Sequence, residues 1–271
     1  MGHAGLYLQW QRWILVLILW LGLPGASLPA GDGLPLNVGY TEFPPLEYRD
    51  NEGRPAGEFI ELTRQVAAEA GYDLNFIHIP VTRVYLYLQQ GKIDLWPGLA
   101  SIPALADDVV ESINRPIEVE LSLWRREETP PVERFEDLYG HKIIVIAGYT
   151  YGGLADYLEN SDKASITAAP GHQAAVDMLL RNRASYLLDY RLPIEEILEG
   201  YPAHNLEQSV VRHRYAAWLF SKQNPRTPQL RNAFDEAYNR LVQRGEVIPL
   251  INAVDQPVFP GFPELSPRDR S

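Results

Sequence analysis

The sequence predicts an α/β protein built as two lobes, each a mainly parallel sheet flanked by helices, joined by two hinge strands. Three observations predict it. Strand-like and helix-like segments alternate with short links from Leu34 to Trp96, the grammar of a parallel sheet with right-handed crossovers. The same alternation resumes at Lys142 and continues to about Gly200. After each unit stands a segment that reads as a crossing strand: "IEVELSLW" (Ile117 to Trp124) on the way out and "YAAWLFS" (Tyr215 to Ser221) on the way back.

The elements follow in order. "LPLNVGY", Leu34 to Tyr40, is a short apolar strand. In "EFIELTRQVAAEAG" the residues Phe59, Leu62, Val66, Ala67 and Ala70 recur at helical spacing, and Gly71 ends the helix. "DLNFIHI" is the next strand, "TRVYLYLQQG" a short helix stopped by Gly91, and "IDLW" a strand ending at Trp96, where Pro97 and Gly98 open an almost uncharged loop. Ile117 to Trp124 alternates apolar and polar residues, which reads as a half-buried strand, and the charged, proline-rich "RREETPPVERFED" then leaves the first lobe. The second unit reads as strand "KIIVIAG", a helix from about Tyr151, a helix around "HQAAVDMLLRN", strand "SYLLDY" and helix "PIEEILEG". After the return strand, Thr227 and Pro228 look like the cap and first residue of a helix with Leu230, Phe234, Ala237, Tyr238 and Leu241 as its buried stripe. From Gln256 onward, turn and linker residues predict a loosely held end. The layout expected is lobe 1 over 31–122, lobe 2 over 123–214, a return to lobe 1 over 215–255 and a tail over 256–271.

Composition sets limits on the rest. The chain has 271 residues, 46% of them hydrophobic, enough for a substantial core. At the N-terminus, Arg12 precedes "WILVLILWLGLPGASLPA", which is too short and too interrupted by Gly and Pro to span a bilayer comfortably. It reads as a secretory signal peptide over residues 1–30, the alternative being an uncleaved N-terminal anchor, and the expected location is the periplasm. With no cysteine, a disulfide frame and a Cys-built metal site are excluded. A formal charge of -11 argues against nucleic acid or an anionic membrane surface as a partner.

The ordered set "VGYTEFPPLEY", "GEFIELTRQVAAEAG", "LQQGKIDLWPGLASI", "LYGHKIIVIAGYTYGG", "LLRNRASYLLDY" and "AWLFSKQNPRTPQLRNAFDEAYNRLVQRG" resembles bacterial extracellular solute-binding protein family 3, from about Leu34 to Ile251. The resemblance implies a type II periplasmic binding fold, with a small polar solute clamped between the lobes and delivered to the permease of an ABC importer. A monomer suits a hinge that must move freely, and no cofactor is expected. In open α/β sheets a ligand lies beyond the carboxyl ends of the strands, which here points to five loops: 40–45, 80–83, 96–101, 148–152 and 189–191.

Within those loops, Tyr40 and Phe43 match positions where the family packs a side chain on the ligand; the alternative is plain core after a first strand. Leu99 matches a backbone contact and Ser101 a hydroxyl contact. The family's carboxylate-gripping Arg would stand at position 106, where this chain has Ala106. No Ala can replace that bidentate contact, so an α-amino acid held in the usual way is not expected. Arg83, on the cleft side by the strand-end rule, is a candidate to take over anion binding; the alternative is a surface Arg. Trp96 either stacks on a ligand or caps its lobe. Gly148, Tyr149 and Thr150 match the strand-to-helix turn of the second lobe. Asp189 lies near the family's ammonium-binding Asp, although an ungapped count puts Tyr190 at that position, and Arg191 follows. Neighbours on a strand face opposite ways, so either Asp189 or its neighbour points inward.

Catalytic motifs are missing: there is no Gly-x-Ser-x-Gly elbow, phosphate loop or His-Glu-x-x-His helix. Of the six histidines, only His213, within "RHR", lies near a predicted functional element. A binding protein is the expected class. The rivals are an enzyme of the dehydratase type on the same fold, with Asp189 or Glu42 as acid, and a ligand-sensing subunit of a membrane receptor.

Overall fold

The computed structural model describes residues 34–160, 163–201, 205–250, 256–258 and 260–261. The expected signal peptide and the last ten residues of the tail lie outside the described residues.

The first half builds β1 (Leu36–Tyr40), a small hairpin of β2 (Tyr48–Arg49) and β3 (Pro55–Ala56), α1 (Glu58–Ala70), β4 (Leu74–His78), α2 (Val81–Gln89), β5 (Leu95–Leu99) and β6 (Val109–Glu111). The first crossing strand is β7 (Ile117–Arg126). The second half contains β8 (Lys142–Ile146), α3 (Leu154–Asn160), β9 (Ser165–Ala169), α4 (His172–Leu180), β10 (Tyr186–Tyr190) and α5 (Arg191–Leu198). The chain returns through β11 (Leu206–Ser221), α6 (Thr227–Gln243) and β12 (Gln256–Pro257).

Among the described residues ten strands share one sheet, ordered β4-β1-β5-β11-β7-β10-β8-β9, with β6 and β12 also on β11. Within each half the strands run parallel: β4-β1-β5 in the first and β10-β8-β9 in the second. The two crossing strands pair antiparallel from Leu206↔Arg126 to Ala216↔Ile117. Their ends serve different halves, since β5 joins β11 over Ala216 to Phe220, whereas β10 joins β7 over Leu121 to Arg125. Two parallel sheets are thereby stitched into a single two-lobed α/β body.

The first half is held by aromatic packing. Trp218, fully buried on β11, stacks its ring among Phe59, Phe234 and Tyr238 at centroid separations of 5.7, 5.9 and 5.8 Å, and its indole N–H donates to the Thr63 hydroxyl at 2.9 Å. Those partners come from α1 and α6, so one side chain ties two helices to the sheet. Asp235 on α6 accepts the backbone N–H groups of Ile113 and Asn114, both at 3.0 Å, which anchors the segment leading into β7. In the second half, buried Arg126 donates to the carbonyls of Leu179 (2.7 Å) and Ala184 (3.1 Å), holding the turn between α4 and β10.

Several boundaries differ from expectation. The strand expected to stop at Trp96 runs on to Leu99, so most of the supposed loop is sheet. Proline is tolerated there for a geometric reason. Ala100 donates its N–H to Tyr215 O at 2.9 Å, so two-residue alternation turns the Pro97 nitrogen to the other edge, where β1 has stopped pairing at Leu95. The return strand begins at Leu206 rather than Tyr215, because its polar first half pairs with β7. β9, "SITAA", carries little apolar signal and was not expected; it is an edge strand on β8. Arg226, not Thr227, stands at the N-cap of α6; Thr227 is the first helical residue, and its hydroxyl donates to Ser221 O. The start of the tail is pinned, not loose, with Gln256 and Pro257 on β11 and Val258 N–H on Val211 O at 2.9 Å.

Candidate functional site

All five strand-end segments converge on one cleft between the lobes. The turn after β1 supplies Thr41, Phe43 and Glu47, the start of α2 supplies Val81 and Tyr85, and the end of β5 supplies Trp96 to Leu99. From the second lobe come Tyr149 to Gly152 and Tyr190. Val119, Arg214 and Ala216 of the crossing strands also line it, as do Leu46, Phe59 and Ile102.

The turn after β1 is shaped by its own backbone. Phe43 N–H bonds Glu47 O at 2.7 Å, and Glu47 N–H returns to Phe43 O at 3.1 Å, so both side chains are carried at the end of a closed loop. Phe43 meets the rings of Tyr190 at 5.3 Å and Tyr149 at 6.4 Å. Since Phe43 belongs to the first lobe and both tyrosines to the second, the lobes touch directly. Two polar contacts add to this closure: Tyr85 OH lies 3.3 Å from Thr150 Oγ1, and Tyr149 OH donates to Glu42 O at 3.4 Å.

Two glycines make room for large neighbours. A Cβ at Gly98 would lie 2.2 Å from the Trp96 ring, and one at Gly152, whose φ is +70°, would lie 2.4 Å from Arg214 Nη1. The turn can therefore lie against the guanidinium only because residue 152 has no side chain.

The candidate residues divide on geometry. Phe43, Trp96, Leu99, Tyr149, Thr150 and Tyr190 line the cleft. Tyr40 does not: it is 2% exposed, packed on Phe76 and His78, and belongs to the core. Arg83 sits on an exposed position of α2 outside the lining, so the replacement anion grip expected there is not where the cleft is. Ser101 is exposed outside the lining, its hydroxyl accepting from Arg115 at 3.3 Å. Gly148 is exposed at the rim beside Thr82 of α2. Ala106 is exposed after a short turn and also stands outside the lining.

The alternation at the end of β10 resolves the inward residue. Tyr190 lines the cleft while Asp189, fully buried, turns the other way. Asp189 Oδ2 lies 2.7 Å from His172 Nδ1, and its Oδ1 accepts the Tyr190 N–H at 2.8 Å. Arg191 points outward to Glu120 and Glu195.

Sequence reasoning missed Thr41, Glu47, Tyr85, His172 and Arg214. Arg214 was within reach, since His213 pairs outward with Glu118 at 2.7 Å and its neighbour on a strand must face inward. Arg214 is 1% exposed and donates to Ala100 O at 2.9 Å. Glu42, one of the acids considered for catalysis, is half-exposed and paired with Arg49 and His78, outside the lining.

Electrostatics follow from burial. Glu47 is 4% exposed, and desolvation raises its pKa to about 8 against the weaker opposing effect of hydrogen bonds from Thr41 (2.5 Å) and Trp96 (3.5 Å). Burial, then the charge of Asp189, pushes the Tyr149 and Tyr151 hydroxyls well above the usual phenol range. For His172 burial opposes protonation, but the adjacent Asp189, together with the carbonyl and the charge of Glu42, outweighs it and the pKa is raised. His172 Nε2 lies 3.2 Å from Tyr149 OH, so Asp189 orients the imidazole and the imidazole orients a cleft hydroxyl. Among the described residues no group of three or more His, Asp or Glu could hold a metal ion.

The sequence profile of the bacterial extracellular solute-binding proteins, family 3, matches residues 36–252, and the chain belongs to that family. It is 23% identical over 190 residues to the amino-acid-binding protein AabA of Dichelobacter nodosus, covering 69% of this chain and 75% of that one. Among solved structures it is similar to a histidine kinase sensor domain with similarity to periplasmic binding proteins (TM-score 0.67, 22% identity, 78% of this chain and 92% of that one). An ancestral arginine-binding protein bound to arginine aligns with a TM-score of 0.65 at 20% identity, covering 78% and 93%. These structures share its fold, a type II periplasmic binding fold.

Proposed function

We propose that the protein works in the periplasm as a monomeric receptor that captures a small polar solute between its lobes and delivers it to an ABC-type importer. The observation that carries this reading is the cleft itself. Five strand ends from two lobes meet around it, and the crossing strands form its floor. Closure about paired strands 117–126 and 206–221 would trap the solute and bring the two lobe surfaces into the arrangement a permease reads. The related AabA is described as an amino-acid-binding protein, which supports an amino acid or a related amine or organic acid as the solute. A ligand-sensing role rests on the likeness to the histidine kinase sensor domain and would use the same closure.

The experiment is a thermal-shift screen of amino acids, polyamines, organic acids and small cations, followed by analysis of the compounds recovered. A raised melting temperature with the compound unchanged is the expected result. Conversion of the compound would replace binding by catalysis, and the buried Asp189–His172–Tyr149 chain would then be the first place to look for proton transfer.

A further inference from the structure

The cleft holds a carboxyl group of which the fold uses only one oxygen. Glu47 Oε1 takes the Thr41 hydroxyl and the Trp96 indole N–H, whereas Oε2 is buried with no hydrogen-bond partner. Among the described residues no cation forms an ion pair with Glu47. A buried polar oxygen without a partner is costly to the fold, and such an oxygen in a ligand cleft is a group held in reserve for a ligand.

Its surroundings indicate the ligand's charge. Seven aromatic side chains line the same cleft. Tyr149, Tyr151 and Tyr190 touch one another at centroid separations of 5.7 to 6.1 Å, with Phe43 against Tyr190, and Tyr85 meets Trp96 at 6.2 Å. Ring faces attract an ammonium group, and a carboxylate at the edge of such a surface adds a full opposite charge.

Resting on the reading of this cleft as a solute site, we propose that Glu47 is its charge-recognition residue and that the ligand is a small organic monocation or zwitterion. Its ammonium group lies between Glu47 Oε2 and the aromatic rings. The role is taken from the end of β10, where the resemblance placed an ammonium-binding Asp and this chain presents the Tyr190 ring. The Arg214 guanidinium lines the same cleft, so a second positive charge on the ligand is disfavoured and a negative group at that end is accepted.

Recognition is coupled to a proton. With a pKa of about 8, the Glu47 carboxyl holds its proton at neutral pH in the free protein. An arriving cation stabilises the carboxylate, so the proton leaves to solvent as the ion pair forms. Below about pH 8 the affinity rises with pH and up to one proton is released per cation bound. The titratable and charged groups around the carboxyl are Glu42 on its own loop, Tyr85 on α2, Tyr149, Tyr151 and Tyr190 from the second lobe, and Arg214 on β11.

Titration calorimetry with size-matched probes tests this. Choline, its uncharged isostere 3,3-dimethyl-1-butanol, the anion 3,3-dimethylbutyrate and the zwitterion glycine betaine are titrated into the protein at pH 7, in phosphate and in Tris buffer. The expected result is at least tenfold tighter binding of choline or betaine than of the alcohol, with buffer-dependent heats that report proton release. Glu47→Gln is expected to abolish both. Equal binding of charged and uncharged probes, or an unchanged cation preference in Glu47→Gln, overturns the assignment. If the variant does not fold, absence of proton release from the wild type on binding a cation overturns it equally. Retention of only the alcohol or the anion removes Glu47 from recognition and leaves the solute-receptor reading standing, whereas no binding of any probe, together with no hit in the thermal-shift screen, removes both.

Discussion

Glu47 illustrates how burial sets the behaviour of a single residue. Its pKa in the folded protein is raised to about 8 from the ordinary 4.5, so the folded state holds a proton that the unfolded chain has lost above pH 4.5. This contribution is full below about pH 4.5 and is lost as the pH rises to about 8, at up to about 1.4 kcal/mol per pH unit. Glu47→Gln removes the ionisation. Its stability, measured by urea unfolding across pH 5 to 8, is expected to gain on that of the wild type as the pH rises, and parallel curves would refute the buried carboxyl. Arg83 stands at the opposite extreme. Because it is exposed and outside the lining, Arg83→Ala should leave ligand affinity unchanged, whereas Trp96→Ala should weaken it by about 1 to 3 kcal/mol. Calorimetry with any ligand from the screen separates the two.

Elements matter here through close approach. The short turn Tyr151–Gly153 lies against the Arg214 guanidinium, with Gly152 at positive φ. Gly152→Ala adds a methyl 2.4 Å from Arg214 Nη1 in a conformation unfavourable to L-residues, and a loss of about 1 to 3 kcal/mol in chemical denaturation is expected. An unchanged midpoint would mean that the turn and the guanidinium are not in contact. In the first lobe, Glu69 of α1 joins Arg240 of α6 and Arg244 at its C-cap, at 2.6 and 2.9 Å. These hydrogen bonds hold the Glu69 carboxyl at about 2, so the contribution of this link is present above the ordinary carboxylate range and is lost as the pH falls towards 2.

For the whole molecule, the decisive property is whether the lobes separate. Gly148 and Thr82 face each other across the rim, with an ideal Cβ at 148 only 3.4 Å from Thr82 Cα. The chain has no cysteine, so Thr82→Cys combined with Gly148→Cys introduces one pair and no competitors. Oxidation of that pair is expected to stop ligand entry and reduction to restore it, as read by calorimetry on the two forms. Equal binding by both would show that the solute enters without lobe movement.

Much of the architecture was legible in the sequence because apolar periodicity records which face of an element is buried. The strand at Leu36, the helix over Glu58–Ala70 and the alternating Ile117 to Trp124 were readable in this way. β9 was not, because an edge strand of small and polar residues is defined by its neighbour β8 and not by its own pattern. The site divides similarly. The strand-end rule placed the five segments, and Phe43, Trp96 and Tyr190 fall on the cleft as side chains. Arg83 and Tyr40 lie outside the lining because a position in a segment does not state a direction: Arg83 faces solvent and Tyr40 the core. The sequence by itself determined the order of the main helices and core strands, the two-lobed plan and the strand ends as the place to look for a cleft, since these follow from local periodicity and chain connectivity. Only the tertiary structure decided which charges the cleft contains. Glu47 and Arg214 are separated by more than half of the chain, and bringing them to one cavity depends on the long-range pairing of β5 and β7 with β11.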